Sequence, residues 1–148
     1  MVQFIYDGIT LTSNLLEGDF FKYEEIIPKD MKTLELNRKE LEDNLKFMYI
    51  HSKDNDHNLI TMTLGEKIFK FECNTPDSII STDIEVESNL EFEQTINNKY
   101  LIDALKVIKS DNVNYNFTST LNPMTFSDED SIHLILPVRL LKGGGNDE

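Results

Sequence analysis

Asn37-Arg38-Lys39-Glu40-Leu41-Glu42-Asp43-Asn44-Leu45-Lys46-Phe47-Met48 reads as a helix. Leu41, Leu45 and Met48 recur at i, i+4 and i+7, which puts them on one helical face. Asn37 stands as N-cap, and Glu40 follows it at capping-box spacing. A second helix is read over Asn97-Asn98-Lys99-Tyr100-Leu101-Ile102-Asp103-Ala104-Leu105-Lys106-Val107-Ile108-Lys109. Leu101, Ala104, Leu105 and Ile108 form its apolar face, and Asn97 or Asn98 caps it. Lys109 suits the negative end of the helix dipole.

Around these helices the chain reads as strand. Phe4 to Tyr6 and Thr10 to Thr12 flank Asp7-Gly8, a hairpin signal. Leu59 to Leu64 and Lys67 to Cys73 flank Gly65-Glu66, a second one. Ile79 to Val86, Leu90 to Ile96, Val113 to Phe117, Met124 to Phe126 and Ile132 to Val138 complete the set. Two helices among many short strands predict an α+β domain, with the helices packed on antiparallel sheet. From Thr33 the order is strand, helix, four strands, helix, three strands. Each half is a helix followed by strands, a pseudo-repeat of pattern without evident sequence identity.

The chain has 148 residues, enough for one domain and a small appendage. Its net charge of -13 repels phosphate overall, so any contact with nucleic acid must come from a local basic patch. Cys73 is the only cysteine, which excludes an internal disulfide and a cysteine-built metal site. It falls in an apolar alternation and reads as a buried strand residue. Met1 to Tyr6 lack a basic start and a long apolar stretch, so neither a signal peptide nor a membrane span is expected. The expected location is the cytoplasm.

Enzyme chemistry finds little support. His51, His57 and His133 lie on different predicted elements without metal-ligand spacing. Asp54, Asp56 and His57 sit among asparagines and read as a polar turn. Asp128-Glu129-Asp130 lacks the glycine and spacing of a calcium loop and reads as a solvated turn. No glycine-rich phosphate loop precedes a helix. Neither metal nor cofactor is expected.

Four stretches, in order, resemble one family. Leu36-Asn37-Arg38-Lys39-Glu40-Leu41 is similar to the opening of the first helix in the third domain of the bacterial DNA polymerase III beta subunit, the DNA sliding clamp. Ile96-Asn97-Asn98-Lys99-Tyr100-Leu101 and the residues to Lys106 are similar to that domain's second helix. Ile135-Leu136-Pro137-Val138-Arg139-Leu140 resembles the family's C-terminal signature. Leu15 to Phe20 and Tyr23 to Pro28 resemble the end of the middle domain and its bridge to the third. The resemblance runs from about Val2 to Leu140. It implies a remnant of the middle domain over 1–28 and a C-terminal clamp domain over 29–140; the stretch 141–148, with Gly143 to Glu148 offering nothing to bury, is expected to be a flexible acidic tail. Met1 then falls inside a middle-domain strand, and the chain is expected to be a truncated piece or to begin at an internal start.

The resemblance also implies function. A sliding clamp catalyses nothing. It encircles double-stranded DNA without reading sequence and tethers DNA polymerase and other clamp-motif proteins. Lys99, Lys106 and Lys109 are expected to face DNA, with Arg38, Lys39 and Lys46 second, because Glu40, Glu42 and Asp43 offset the latter. A peptide-binding pocket is implied at Tyr23, Ile26, Pro123, Met124, Leu134, Leu136, Pro137, Val138 and Arg139. Tyr49, Ile50 and His51 map to the subunit interface, which implies an oligomer or completion by other clamp domains. The alternative is a stand-alone module that captures clamp-binding peptides without encircling DNA. The chain departs from the family at Phe21, where proline is usual, at Glu24 and Glu25, where basic residues are common, and at His51, where an apolar residue is usual.

Overall fold

The computed structural model describes residues 1–53 and 56–139. The expected tail over 141–148, Leu140 of the C-terminal signature, and Asp54 with Asn55 of the polar turn lie outside the described residues.

The chain opens with a hairpin of β1 (Val2–Tyr6) and β2 (Ile9–Ser13). Asp7 and Gly8 both take positive φ, as a two-residue turn matched to strand twist requires. Phe4 pairs with Leu11 and Tyr6 with Ile9, so one hairpin face is apolar and yet exposed. A single 3-10 turn, Tyr23–Glu25, leads on to the main unit.

That unit runs β3 (Lys32–Asn37), α1 (Arg38–Ser52), β4 (Leu59–Gly65), β5 (Ile68–Asn74) and β6 (Ile79–Glu85). It continues as β7 (Phe92–Asn97), α2 (Asn98–Val107), β8 (Asn112–Phe117), β9 (Met124–Ser127) and β10 (Ile132–Ile135). The strands form two four-stranded antiparallel sheets, ordered β10-β9-β8-β3 and β6-β5-β4-β7. Each half lends its first strand to the other half's sheet: β3 pairs with β8, and β4 with β7.

Both helices start where the side chain of an asparagine caps them. Asn37 accepts from the Glu40 amide at 3.0 Å, and Asn97 from the Lys99 amide at 2.9 Å. Read in phase from these caps, the halves do share sequence, contrary to the expectation above. Asn37, Lys39, Leu41, Asp43, Leu45 and Lys46 recur as Asn97, Lys99, Leu101, Asp103, Leu105 and Lys106. The identity is confined to the helices, so only the aligned caps reveal it.

Some boundaries differ from expectation. Helix α1 continues past Met48 to Ser52. Helix α2 stops at Val107, because Ile108 turns extended and enters the core, which leaves Lys109 beyond the helix end. The β4–β5 turn is Glu66-Lys67, since Gly65 still pairs with Ile68. Strand β7 begins at Phe92 and β10 ends at Ile135.

Leu41, Leu45 and Met48 of α1 meet Leu101, Leu105 and Ile108 in one core beneath the helices. Burying each such side chain contributes about 1.5–3 kcal/mol. Asn98 is buried at the first turn of α2 and donates Nδ2 to the Leu45 carbonyl at 2.9 Å, which joins the helices side by side. Between the sheets, Tyr115 of β8 stacks on Phe69 of β5 and Phe126 of β9, with centroids 5.5 and 5.0 Å away. Cys73 is buried, as its alternation predicts.

The Tyr115 hydroxyl finds no hydrogen-bond partner among the described residues, and burial pushes its pKa well up. An unpaired buried hydroxyl costs free energy. Tyr115→Phe is therefore expected to raise the unfolding free energy in urea melts by about 1 kcal/mol, whereas Asn98→Ala lowers it by about 1–2 kcal/mol. A destabilised Tyr115→Phe would mean that the hydroxyl is paired.

Candidate functional site

The outward faces of α1 and α2 form one surface. On α1, Arg38, Lys39 and Lys46 stand against Glu40, Glu42 and Asp43, and the net charge is zero. Each of these cations has an intrahelical partner: Lys39 meets Asp43 at 2.5 Å, while Glu42 takes both Lys46 at 2.5 Å and Arg38 at 3.4 Å. These bonds raise the pKa of Lys39 and lower that of Glu42. Arg38 is further tied by Nε to the Ser110 carbonyl at 2.8 Å.

On α2, Lys106 meets Asp103 at 2.8 Å, which raises the lysine pKa and lowers that of the aspartate. Lys99 is exposed and makes no ion pair among the described residues. With Ile102 where α1 has Glu42, α2 keeps one positive charge. Lys109 is exposed on the loop after α2, and its amide points at Asp128.

The C-terminal residues gather at β7. In β10, Ile135 turns into the core and Leu134 is half-buried, while Leu136, just past the strand, is 61% exposed. Past the strand the chain crosses to the other sheet, where the Val138 amide donates to the Thr95 carbonyl at 2.8 Å. Next door, buried Gln94 donates Nε2 to the carbonyls of Thr120 and Asn122 at 3.1 and 2.8 Å. Neighbouring β7 residues thus hold both Val138 and the loop that carries Pro123. Pro137 is half-buried and Arg139 exposed. Met124 departs from the expected wall: it is a fully buried core residue, because Pro123 rather than Met124 lies at the end of the loop. Tyr23 and Ile26 sit on the exposed bridge, where Tyr23 touches the rings of Phe20 and Phe21.

An open recess of about 470 Å³ lies between α2 and β10. Tyr100 and Ala104 line one side, and Ile132, His133 and Leu134 the other. Sequence reasoning missed Tyr100 and Gln94 as members of this region. Tyr100 could have been found as an aromatic residue at the outward position where α1 has Glu40. Gln94 could have been found as a polar residue on the apolar phase between Phe92 and Ile96.

Elsewhere, α1 flanks β6, a strand paired among the described residues with β5 alone. Of the expected interface residues, Ile50 is exposed, His51 is half-buried against the ring of Phe47, and Tyr49 packs inward on the core. Phe47 and Ile79 are also exposed there and were not anticipated. Among the described residues no group of three or more His, Cys, Asp or Glu is arranged to hold a metal ion. No described helix is long and apolar enough to cross a membrane.

Paired helices over two antiparallel sheets, built from two in-phase halves, define a domain of the DNA-clamp class. Residues 24–139 match the family described as DNA polymerase III beta subunit, C-terminal domain, and the chain belongs to that family. It is 32% identical to the beta sliding clamp of Halalkalibacterium halodurans over 86% of this chain and 36% of that protein. It is 29% identical to that of Bacillus subtilis over 93% of this chain and 39% of that protein. The solved DNA polymerase sliding clamp of Bacillus subtilis shares the fold with a TM-score of 0.83 at 23% identity, over 94% of this chain and 39% of that one. The chain thus spans less than two fifths of the length of these relatives.

The turn that aims β10 depends on Asp128. Its Oδ1 accepts from the Asp130 and Ser131 amides and the Ser131 hydroxyl, and its Oδ2 from Ser110 Oγ and the Lys109 amide. Ser131 leads these bonds in holding the carboxyl pKa down at about 2. A depressed folded-state pKa stabilises the fold above the unfolded value near ~3.9, and this contribution is lost as pH falls toward the folded value. Asp128→Asn should therefore flatten the decline of stability between those two pH values in acid titrations of the melting temperature. An unchanged slope would contradict the role of this turn.

Proposed function

We propose that the chain acts as the C-terminal domain of a DNA sliding clamp, a non-catalytic subunit that holds replication proteins on DNA in the cytoplasm. Residues 1–28 are the end of a middle domain, and residues 29–140 the C-terminal domain. The observation that carries this reading is a helix layer with a lysine, Lys99, that makes no ion pair among the described residues, on a chain whose net charge is -13. A few mobile lysines against phosphate give weak, sequence-independent, salt-sensitive attraction, which permits sliding.

The same reading assigns peptide capture to the region at β7 and β10. Leu134, Leu136, Pro123, Pro137, Val138 and Arg139 form one wall, and Tyr23 and Ile26 of the bridge approach from the middle-domain side. An apolar slot with few polar groups suits the leucine and phenylalanine anchors of a short motif on DNA polymerase and other partners. Ile50, His51 and Phe47 beside the open edge of β6 meet another clamp domain, and the hairpin's bare apolar face is covered by the rest of a middle domain.

Two outcomes are expected. Replacing Lys99 and Lys106 together by glutamate weakens association with a labelled duplex at low salt by about tenfold or more, read by fluorescence anisotropy. Association that does not change would remove the DNA face from α2. Leu136→Asp, at an exposed position that folding tolerates, abolishes binding of a clamp-motif peptide in calorimetry. Undiminished binding would put the pocket elsewhere.

A further inference from the structure

The in-phase helices differ in charge at three positions, Arg38 against Asn98, Glu40 against Tyr100 and Glu42 against Ile102, and the last bears on the shared lysines. Lys39, Asp43 and Lys46 of α1 recur as Lys99, Asp103 and Lys106 of α2, but Glu42 is matched by buried Ile102. The Glu42 side chain is only 14% exposed, and its two oxygens hold Lys46 at 2.5 Å and Arg38 at 3.4 Å. Its charge also acts on Lys39 and, across the helix pair, on Lys106 of α2. One carboxylate therefore holds two of the six cations assigned to the DNA side in ion pairs and adds a weaker Coulombic pull on two more.

We propose that Glu42 is a built-in restraint on DNA attraction, which occupies Lys46 and keeps α1 electrostatically silent so that α2 carries the contact through Lys99. This rests on the reading that the helix layer faces DNA. A phosphate must compete with Glu42 for Lys46, and a partly desolvated charge-assisted bond is costlier to give up than a hydrated one. Arg38 is not the cation at stake, since the Ser110 carbonyl also fixes it. Asp43 and Asp103 each hold a single lysine in an ion pair, whereas Glu42 holds both Lys46 and Arg38. The restraint suits a surface that must hold DNA without gripping it.

The test is Glu42→Gln in the full chain, with duplex association measured by anisotropy over a range of salt. The expected result is binding about tenfold tighter at low salt and a salt slope steeper by about 0.9, the increment for one added phosphate contact. Lys46→Ala on top of Glu42→Gln should return both to the parent values. Glu40→Gln makes the same change of charge at an exposed residue with no ion pair among the described residues, and should do much less. Equal gains from Glu40→Gln and Glu42→Gln would overturn the proposal, because net charge alone would explain them. If Glu42→Gln changes nothing while the Lys99 and Lys106 glutamates weaken binding, the restraint is wrong and the DNA face stands. If neither set of changes matters, the DNA face fails and the restraint with it.

Discussion

The exchange of first strands between the two halves is the constraint from which the rest of the structure follows. Strand β3 completes the sheet of the second half, and β7 completes the sheet of the first. Neither half can satisfy its backbone hydrogen bonds alone. Each exchanged strand runs directly into a helix through an asparagine cap, so the crossing of strands also brings the helices together. The Asn98 to Leu45 bond and the shared leucine layer then lock α1 and α2 into a single surface. The outward lysines of both helices consequently share one side of the molecule.

Each sheet has two outer strands, β10 and the exchanged β3 in one, β6 and the exchanged β7 in the other. Around β6 the apolar side chains of Phe47, Ile50 and Ile79 remain exposed, and around β10 those of Tyr100, Ile132 and Leu136. Apolar side chains thus lie exposed beside one outer strand of each sheet, in a chain shorter than the relatives it matches. Open edges flanked by apolar residues call for a neighbour. The charges are arranged differently: ion pairs within each helix neutralise most of the cations on the helix layer, so its pull on phosphate depends on a few side chains.

Local features were legible in the sequence because local chemistry decides them. Asn37 and Asn97 announced the helix starts, and the leucine spacing announced the buried faces. The alternation around Cys73 announced a buried strand. Where a boundary shifted, tertiary packing had overruled local preference. Ile108 left the helix for the core and took Lys109 out of reach of the dipole, and Gly65 stayed in the ladder so that Lys67 took the positive φ of the turn. The strand exchange was invisible, because it pairs residues such as Leu36 and Val113 that lie far apart along the chain. The site was only partly legible for the same reason. Pro123 and Val138 are brought near each other by Gln94 and Thr95, residues that no motif singled out.

The central claim is that the paired helices, and not the sheets, form the surface that meets DNA. The most direct measurement is an amide chemical-shift map of the isotope-labelled chain titrated with a short duplex at low salt. The account predicts shifts concentrated on the exposed residues of α2 around Lys99, weaker ones on α1, and their loss as salt rises. Shifts centred on the outer strands β6 and β10, or spread evenly over the molecule, would contradict it.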